Sequence, residues 1–343
     1  YYNGDALRGN GIWKTTDGGS TWNQLSSTNN STFYYVQDMV VESENSYLFA
    51  STRDGGVQMS KDGGMTWTQV LGVSVGAGST NRASDLEVGS NGVVYATLGI
   101  GSTGAIYKTN TTGSSKGEVG KWTSITPSGN YHRIEIAVAP SDPNVIYALC
   151  QDNAGLGVSG MFKSGDGGAN WSSITIPSYY GGSADFTRGL QAWYDLICQV
   201  DPVDANTVWI GGIDTHRSTD GGSTWTQFSY WYLNPTSIYY VHADHHDIKF
   251  LPNTSNAAVW ATDGGISYST NVNATTPTFQ TKNTGYNVTQ FYGGGISSVA
   301  ESNNMLAGAQ DNGTHKFTNS GENATTEVTG GDGAFSHIDA DDP

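Results

Sequence analysis

An eight-residue phrase that occurs four times constrains this chain more than any other feature. Thr15-Thr16-Asp17-Gly18-Gly19-Ser20-Thr21-Trp22 recurs as Ser60-Lys61-Asp62-Gly63-Gly64-Met65-Thr66-Trp67. It returns as Ser164-Gly165-Asp166-Gly167-Gly168-Ala169-Asn170-Trp171 and as Ser218-Thr219-Asp220-Gly221-Gly222-Ser223-Thr224-Trp225. A recurrence at intervals of roughly 45 to 55 residues is the mark of one supersecondary unit used many times. Each copy stands between β-rich runs, such as Gly11-Ile12-Trp13-Lys14 ahead of the first and Thr68-Gln69-Val70 behind the second. The phrase therefore reads strand, tight turn, strand. The Gly-Gly pair supplies positive φ without steric cost. The aspartate accepts N–H groups of its own turn, and the Trp is expected to pack over the turn into the apolar layer. Asp17, Asp62, Asp166 and Asp220 are thus scaffold residues.

Between the copies, short Val/Ile/Tyr/Trp runs alternate with Gly/Asn/Asp/Ser turns, and no stretch carries a 3.6-residue apolar period. That pattern predicts an all-β chain with almost no helix. Each unit reads as four strands. Complete units are expected at about 35–67, 86–125, 132–176, 190–228, 241–281 and 289–328, with degenerate hairpins at 109–113 and 269–271. The opening residues Tyr1–Asp5 lead into a third strand, and Phe335-Ser336-His337-Ile338-Asp339 reads as a first strand with no successor. Such units cannot bury both faces alone, and stacking them radially leaves few open edges. The expectation is a single β-propeller over 1–343, built of four-stranded antiparallel blades and seven-bladed if the terminal partial blades share a sheet. A partial blade at each end reads as a fragment of a longer chain with further domains. A solenoid would need shorter, more uniform repeats, and the Gly-His and Trp-Asp pairs of WD40 repeats do not recur.

Over 343 residues the formal net charge is -16. Such a surface disfavours nucleic acid and anionic membranes. No apolar run is long enough to span a bilayer, so membrane insertion is not expected. The composition suits a secreted or cell-surface protein whose partner is a carbohydrate or an extracellular protein. Cys150 and Cys198 fall in neighbouring units, where they form either a disulfide or two buried thiols.

In a propeller, the loops between second and third strands open on one face and the acidic hairpins lie on the other. A second acidic series occupies those loops: Asp54, Asp152, Asp214, Asp263 and Asp311. Following the second strand directly, they are expected to converge on the channel mouth. Converging carboxylates raise one another's pKa, which lets an acid and a base coexist at neutral pH. They also suit a hard divalent cation. Alternatively each caps its own turn. The hexapeptide His242-Ala243-Asp244-His245-His246-Asp247 holds three of the seven histidines. On a strand, His242, Asp244 and His246 would share one face, a set able to ligate a metal or to form a hydrogen-bonded network. Aromatic residues crowd the same loops, among them Tyr179, Tyr180, Trp193 and Tyr194. In Tyr230-Trp231-Tyr232, three consecutive aromatics cannot all face one interior, which makes Trp231 and Tyr232 candidate ligand-binding residues.

The repeated phrase resembles the Asp-box, or BNR, repeat of sialidase-like, sortilin-like and family-74 xyloglucanase-like propellers. The resemblance covers essentially the whole chain. Asn287-Val288-Thr289-Gln290-Phe291-Tyr292 and Gly308-Ala309-Gln310-Asp311-Asn312-Gly313 are similar to secreted bacterial proteins of this group. In family-74 glycoside hydrolases a catalytic aspartate follows the second strand in a Thr-Asp-x-Gly-Gly context. Thr262-Asp263-Gly264-Gly265 resembles it, one residue shorter, and Arg53-Asp54-Gly55-Gly56 and the Asp311 loop match it less closely. The resemblance implies Asp263 as one catalytic carboxyl and Asp54 or Asp311 as the other. Those enzymes place two such aspartates on facing propellers, and this chain shows one propeller. A non-catalytic binding or surface-assembly module, as in sortilin-type propellers, is the first expectation, and a glycoside hydrolase the second. Sialidases carry a Phe-Arg-Ile-Pro-type signature, which Arg133-Ile134-Glu135 departs from.

Overall fold

A computed structural model describes residues 7–72, 82–100, 102–109, 113–285, 288–300, 302–319 and 325–339. The chain is an all-β propeller. Its strands form seven antiparallel sheets in sequence order, six of four strands and the first of two. β1 (Trp13–Lys14) and β2 (Asn23–Gln24) make the two-stranded sheet. Blade 1 holds β3 (Val36–Glu42), β4 (Tyr47–Thr52), β5 (Gly56–Ser60) and β6 (Thr68–Leu71). Blade 2 holds β7 (Ala83–Val88), β8 (Val94–Leu98), β9 (Ala105–Thr109) and β10 (Trp122–Ser124). Blade 3 holds β11 (Tyr131–Val138), β12 (Ile146–Asp152), β13 (Val158–Ser164) and β14 (Ser172–Ser173).

Blade 4 holds β15 (Ile197–Val200), β16 (Val208–Gly211), β17 (Thr215–Ser218) and β18 (Thr226–Gln227). Blade 5 holds β19 (His245–Phe250), β20 (Ala258–Thr262), β21 (Gly265–Ser269) and β22 (Gln280–Thr281). Blade 6 holds β23 (Gly293–Ile296), β24 (Met305–Gly308), β25 (Thr314–Phe317) and β26 (Thr325–Thr329). The six complete units fall where the sequence pattern places them. Of the opening stretch Tyr1–Asp5 and the degenerate hairpin at 109–113, residues 1–6 and 110–112 lie outside the described residues. No helix among the described residues is long and apolar enough to cross a membrane.

First strands pack side by side, β3 on β7, β7 on β11, β11 on β15 and β15 on β19. Apolar clusters fill the spaces between successive blades. Phe49, Val57, Leu86 and Ala96 join blades 1 and 2, and Tyr95, Ile106, Ile134 and Ile146 join blades 2 and 3. Leu149, Met161, Leu196 and Ile210 join blades 3 and 4, and Trp209, Ile248, Trp260 and Phe279 join blades 4 and 5. None of the five clusters includes a residue of β23–β26. Cys150 and Cys198 are free buried thiols in different clusters.

The four acidic hairpins are alike in their bonding. In the second, Thr66 N–H donates to Asp62 Oδ1 at 2.9 Å and Thr66 Oγ1 to Oδ2 at 2.6 Å. Ser60 Oγ donates to Oδ1 at 2.8 Å. These donors hold Asp17, Asp62, Asp166 and Asp220 near pKa 2, with the hydroxyl or amide four residues on as the largest cause. Gly63 and Gly64 take φ of +72° and +92°. A Cβ on Gly64 would lie 2.5 Å from Leu25 of the previous sheet, and Gly168 and Gly222 meet Ile125 and Ile174 in the same way. The hairpin therefore clasps the neighbouring blade and leaves no room for a side chain. Trp171 and Trp225 extend the clasp by donating to the previous blade's Ile125 and Thr175 carbonyls at 2.6 and 2.7 Å. Trp22 departs from the expected packing, being 56% exposed.

Two expectations need correction. Residues 330–339 form no strand and no shared sheet with β1–β2. They lie instead against Gly293, Gly295 and Gly308 of blade 6, where added side chains would collide with Phe335, Ser336 and Ala334. The His-rich segment is not one alternating strand. β19 begins only at His245, Asp244 takes φ +64°, and the pairing with β20 shifts between His245 and Asp247. That bulge breaks the two-residue period.

Candidate functional site

Three carboxylates meet at the loop end of blades 5 and 6. Asp244 precedes β19, Asp263 lies in the β20–β21 hairpin, and Asp311 lies in the β24–β25 hairpin. One oxygen of each lies within 4.8 Å of the others. Asp263 is held from two sides. Tyr194 donates its hydroxyl to both oxygens at 3.0 and 2.9 Å, and His246 Nε2 donates to Oδ1 at 2.7 Å. Asp311, at φ +61°, receives His242 Nε2 on its backbone carbonyl at 2.9 Å. Asn312 Nδ2 donates to the Asp263 carbonyl at 2.9 Å. The two blades are thus tied by polar bonds where they lack a shared apolar cluster.

The electrostatics follow from crowding. Burial first, then Asp263, Asp244 and Asp332, push the Asp311 carboxyl up to about 7, and His242 pulls the other way. Asp244 is raised by burial and then by Asp263. Behind it lies Asp195, fully buried just ahead of β15. Its two oxygens find no N–H or O–H donor. Burial and the facing Asp244 raise it well above the ordinary carboxylate range. Among the described residues no lysine or arginine forms an ion pair with Asp244, Asp263 or Asp311, and His246 is the one basic partner.

The other predicted positions separate. Asp54 pairs with its neighbour Arg53 at 3.1 Å and is 55% exposed. Asp152 accepts Ala154 N–H at 3.0 Å within its own loop. Asp152 thus caps its own turn, whereas Asp54 is held by a side chain. Asp214 is buried beneath an aromatic shelf and accepts Tyr180 Oη at 2.6 Å, Ser229 Oγ at 2.9 Å and Trp231 N–H at 3.0 Å. Burial pushes it up to about 6 against those donors. His242 and His246 flank the carboxylates through Asp311 and Asp263, while His245 turns inward and is fully buried, its pKa lowered to about 3 by that burial.

The shelf is built from two long inter-blade connections. Tyr180 stacks on Tyr230 at 6.3 Å and 12°, and meets Tyr232 edge-on at 5.5 Å. Trp231 and Tyr232 are 42% and 57% exposed. Tyr180 takes φ +48°, a costly conformation for an aromatic residue, held by its bond to Asp214. Asp214 bears on Asp244 electrostatically, and Asp244 N–H donates to the Ile213 carbonyl at 3.3 Å. Shelf and carboxylates are therefore neighbours on one face.

Sequence reasoning missed Asp195 and the charged inner strands. An acid directly preceding the apolar run Leu196-Ile197-Cys198 was the available signal for the first. The inner strands carry Asp38, Asp85, Glu87, Arg133, Glu135, Asp247 and Lys249. Asp38 Oδ2 accepts Leu86 N–H at 3.0 Å and Asp85 Oδ2 accepts Ile136 N–H at 2.7 Å. Each bonds the next blade's first strand close to a break in its register.

No family model and no curated protein matches the chain. Among solved structures it is similar to a GH74 enzyme of Niastella koreensis, with a TM-score of 0.50 and 21% identity over 94% of this chain and 54% of that one. An ancestral GH74 enzyme gives a TM-score of 0.50 and 18% identity over 85% and 38%. YCF48 from Cyanidioschyzon merolae gives 0.46 and 14% over 85% and 84%. The chain spans about half or less of the GH74 structures. At these identities the likeness is one of fold: the chain shares the propeller architecture of the two GH74 structures.

Proposed function

We propose that the protein is an extracellular binding module of the Asp-box type, holding a carbohydrate across the acidic face. The observation that carries this reading is the exposed aromatic shelf of Tyr180, Trp231 and Tyr232 beside Asp244, Asp263 and Asp311. Flat rings bury the apolar faces of sugars, and neighbouring carboxylates accept sugar hydroxyls. The GH74 likeness supports a carbohydrate over a protein ligand. The test is affinity electrophoresis or calorimetry against a panel of soluble polysaccharides. Wild type is expected to be retarded by at least one, and Trp231→Ala with Tyr232→Ala to lose at least tenfold in affinity. Retention unchanged by both substitutions would remove the shelf from the ligand site.

One observation favours hydrolysis as a second reading. Asp263 and Asp311 approach each other across adjacent hairpins, and retaining glycosidases hold their carboxyls about 5–5.5 Å apart. Release of reducing ends by wild type but not by Asp263→Asn would replace the binding reading with the enzymatic one.

A further inference from the structure

We propose that Asp244, Asp263 and Asp311 form a Ca2+ site that fastens blade 6 to blade 5. Carboxylate oxygens from three chain segments lie within 4.8 Å of one another, a spacing that one hard cation can bridge with bonds of about 2.3–2.6 Å. The donor set is all oxygen, which suits Ca2+ over zinc or copper. His246 and Tyr194 hold Asp263 in place from outside the set, as outer partners of metal ligands do. An independent observation points the same way. Asp195 is fully buried, neither of its oxygens has a hydrogen-bond donor, and it faces Asp244 at the edge of the cluster. A fourth buried carboxyl beside Asp244, with no hydrogen-bond donor and only Arg133 opposing its charge, is poorly explained by scaffolding. Behind a bound cation it orients Asp244 and moderates the charge of the site.

The consequence lies in the fold. Blade 6 contributes to none of the apolar clusters that join the other blades, and β26 is exposed along its length. Two ligands come from blade 5 and the third from blade 6. A cation shared among them supplies an attachment that apolar packing does not. Three carboxylates leave further Ca2+ positions to water or a ligand, since the ion takes six to eight oxygens. The inference does not depend on a carbohydrate being bound.

The test uses the whole chain, stripped with chelator and titrated with Tb3+, which replaces Ca2+ and glows when excited through nearby aromatics. Tyr194 touches Asp263, and Trp193 lies 5.4 Å from Tyr194. Saturable emission is expected, displaced by Ca2+ with an apparent Kd below about 1 mM. Asp244→Asn and Asp311→Asn should each weaken it at least tenfold, while Glu118→Gln leaves it unchanged. Separately, Ca2+ should slow proteolysis within 293–329 of the wild type, a readout that needs no variant. Absence of saturable emission, emission retained in both aspartate variants, or proteolysis of 293–329 indifferent to Ca2+ would each overturn the proposal. Displacement by Mg2+ as effective as by Ca2+ would overturn the choice of ion.

Discussion

Two acidic regions of this propeller face opposite electrostatic situations. In the throat, Asp38, Asp85, Glu87, Glu135 and Asp247 line the first strands of successive blades. There the counterions are built in. Arg133 pairs with Glu135 at 3.0 Å and also donates to the Tyr194 and Leu196 carbonyls at 2.8 and 2.7 Å. Lys249 lies 3.4 Å from Asp247, and the surrounding acids raise its pKa. At the mouth, three carboxylates crowd together with a histidine and a tyrosine. Throat acids hold neighbouring strands, and Arg133 and Lys249 answer part of their charge within the protein. Mouth acids hold little, and their charge is answered from outside. Density of acid residues therefore does not identify a site; density without a built-in cation does.

The largest expected effect tests the throat. Arg133→Met leaves Glu135 without its partner and two buried carbonyls without a donor. Each buried acceptor left without its donor costs about 1–3 kcal/mol, so the Tm should fall by roughly 5–10 °C in a scan at neutral pH. A fall below 2 °C would mean that throat charges are answered by water and the contrast is false.

Next comes pH. Burial raises Glu135 to about 7 despite Arg133. A carboxyl raised in the folded state contributes stability that is complete below its unfolded value, about 4.3, and is lost as pH rises through about 7. Glu135→Gln imitates the protonated form. Thermal scans should show wild type and variant alike near pH 4.5, with the variant more stable by a few degrees at pH 8. Equal pH slopes would show that Glu135 titrates as an exposed group.

How much of this was legible from residues alone divides along the same line. Four copies of one hairpin phrase and the alternating runs between them locate the blades, because both are local properties of a few consecutive residues. The approach of Asp263 to Asp311 was also readable, since both follow second strands of adjacent units. Asp54 and Asp152 share that position but turn back on Arg53 and Ala154, a matter of one neighbouring donor. Asp244 enters through a bulge and a left-handed residue that no two-residue period foretells. Asp195 joins the cluster from another blade, and only the packed fold brings it there. The throat acids sit within apolar strands and look like ordinary alternation until neighbouring first strands are set side by side.

At the mouth the sign reverses. Without a bound cation, replacing one of three crowded carboxylates relieves repulsion. Two charges about 4–5 Å apart interact by a few kcal/mol at most in a partly exposed site. Asp311→Asn should therefore raise the Tm in chelator by about 1–3 °C and abolish the further rise that Ca2+ gives the wild type. A fall in chelator would show that Asp311 acts as a structural cap, as Asp152 does.

The smallest effect belongs to the acidic hairpins, which form a third kind of acid site. Asp62 is half-buried, and three hydrogen bonds from Thr66 and Ser60 lower its pKa to about 2. A lowered carboxyl contributes stability that is present above its unfolded pKa and lost as pH falls through the folded one. For the four hairpins that window runs from about 4 down to 2. Asp62→Asn keeps an oxygen for the Thr66 N–H but removes the charge that strengthens these bonds. Its Tm should drop by roughly 1–2 °C at pH 7, and the difference should vanish near pH 2, where the wild-type carboxyl is protonated too. Throat acids destabilise as pH rises and hairpin acids as it falls, so the two slopes separate the classes in one set of scans. A difference that persists unchanged at pH 2 would show that the hairpin depends on the shape of Asp62 and not on its charge.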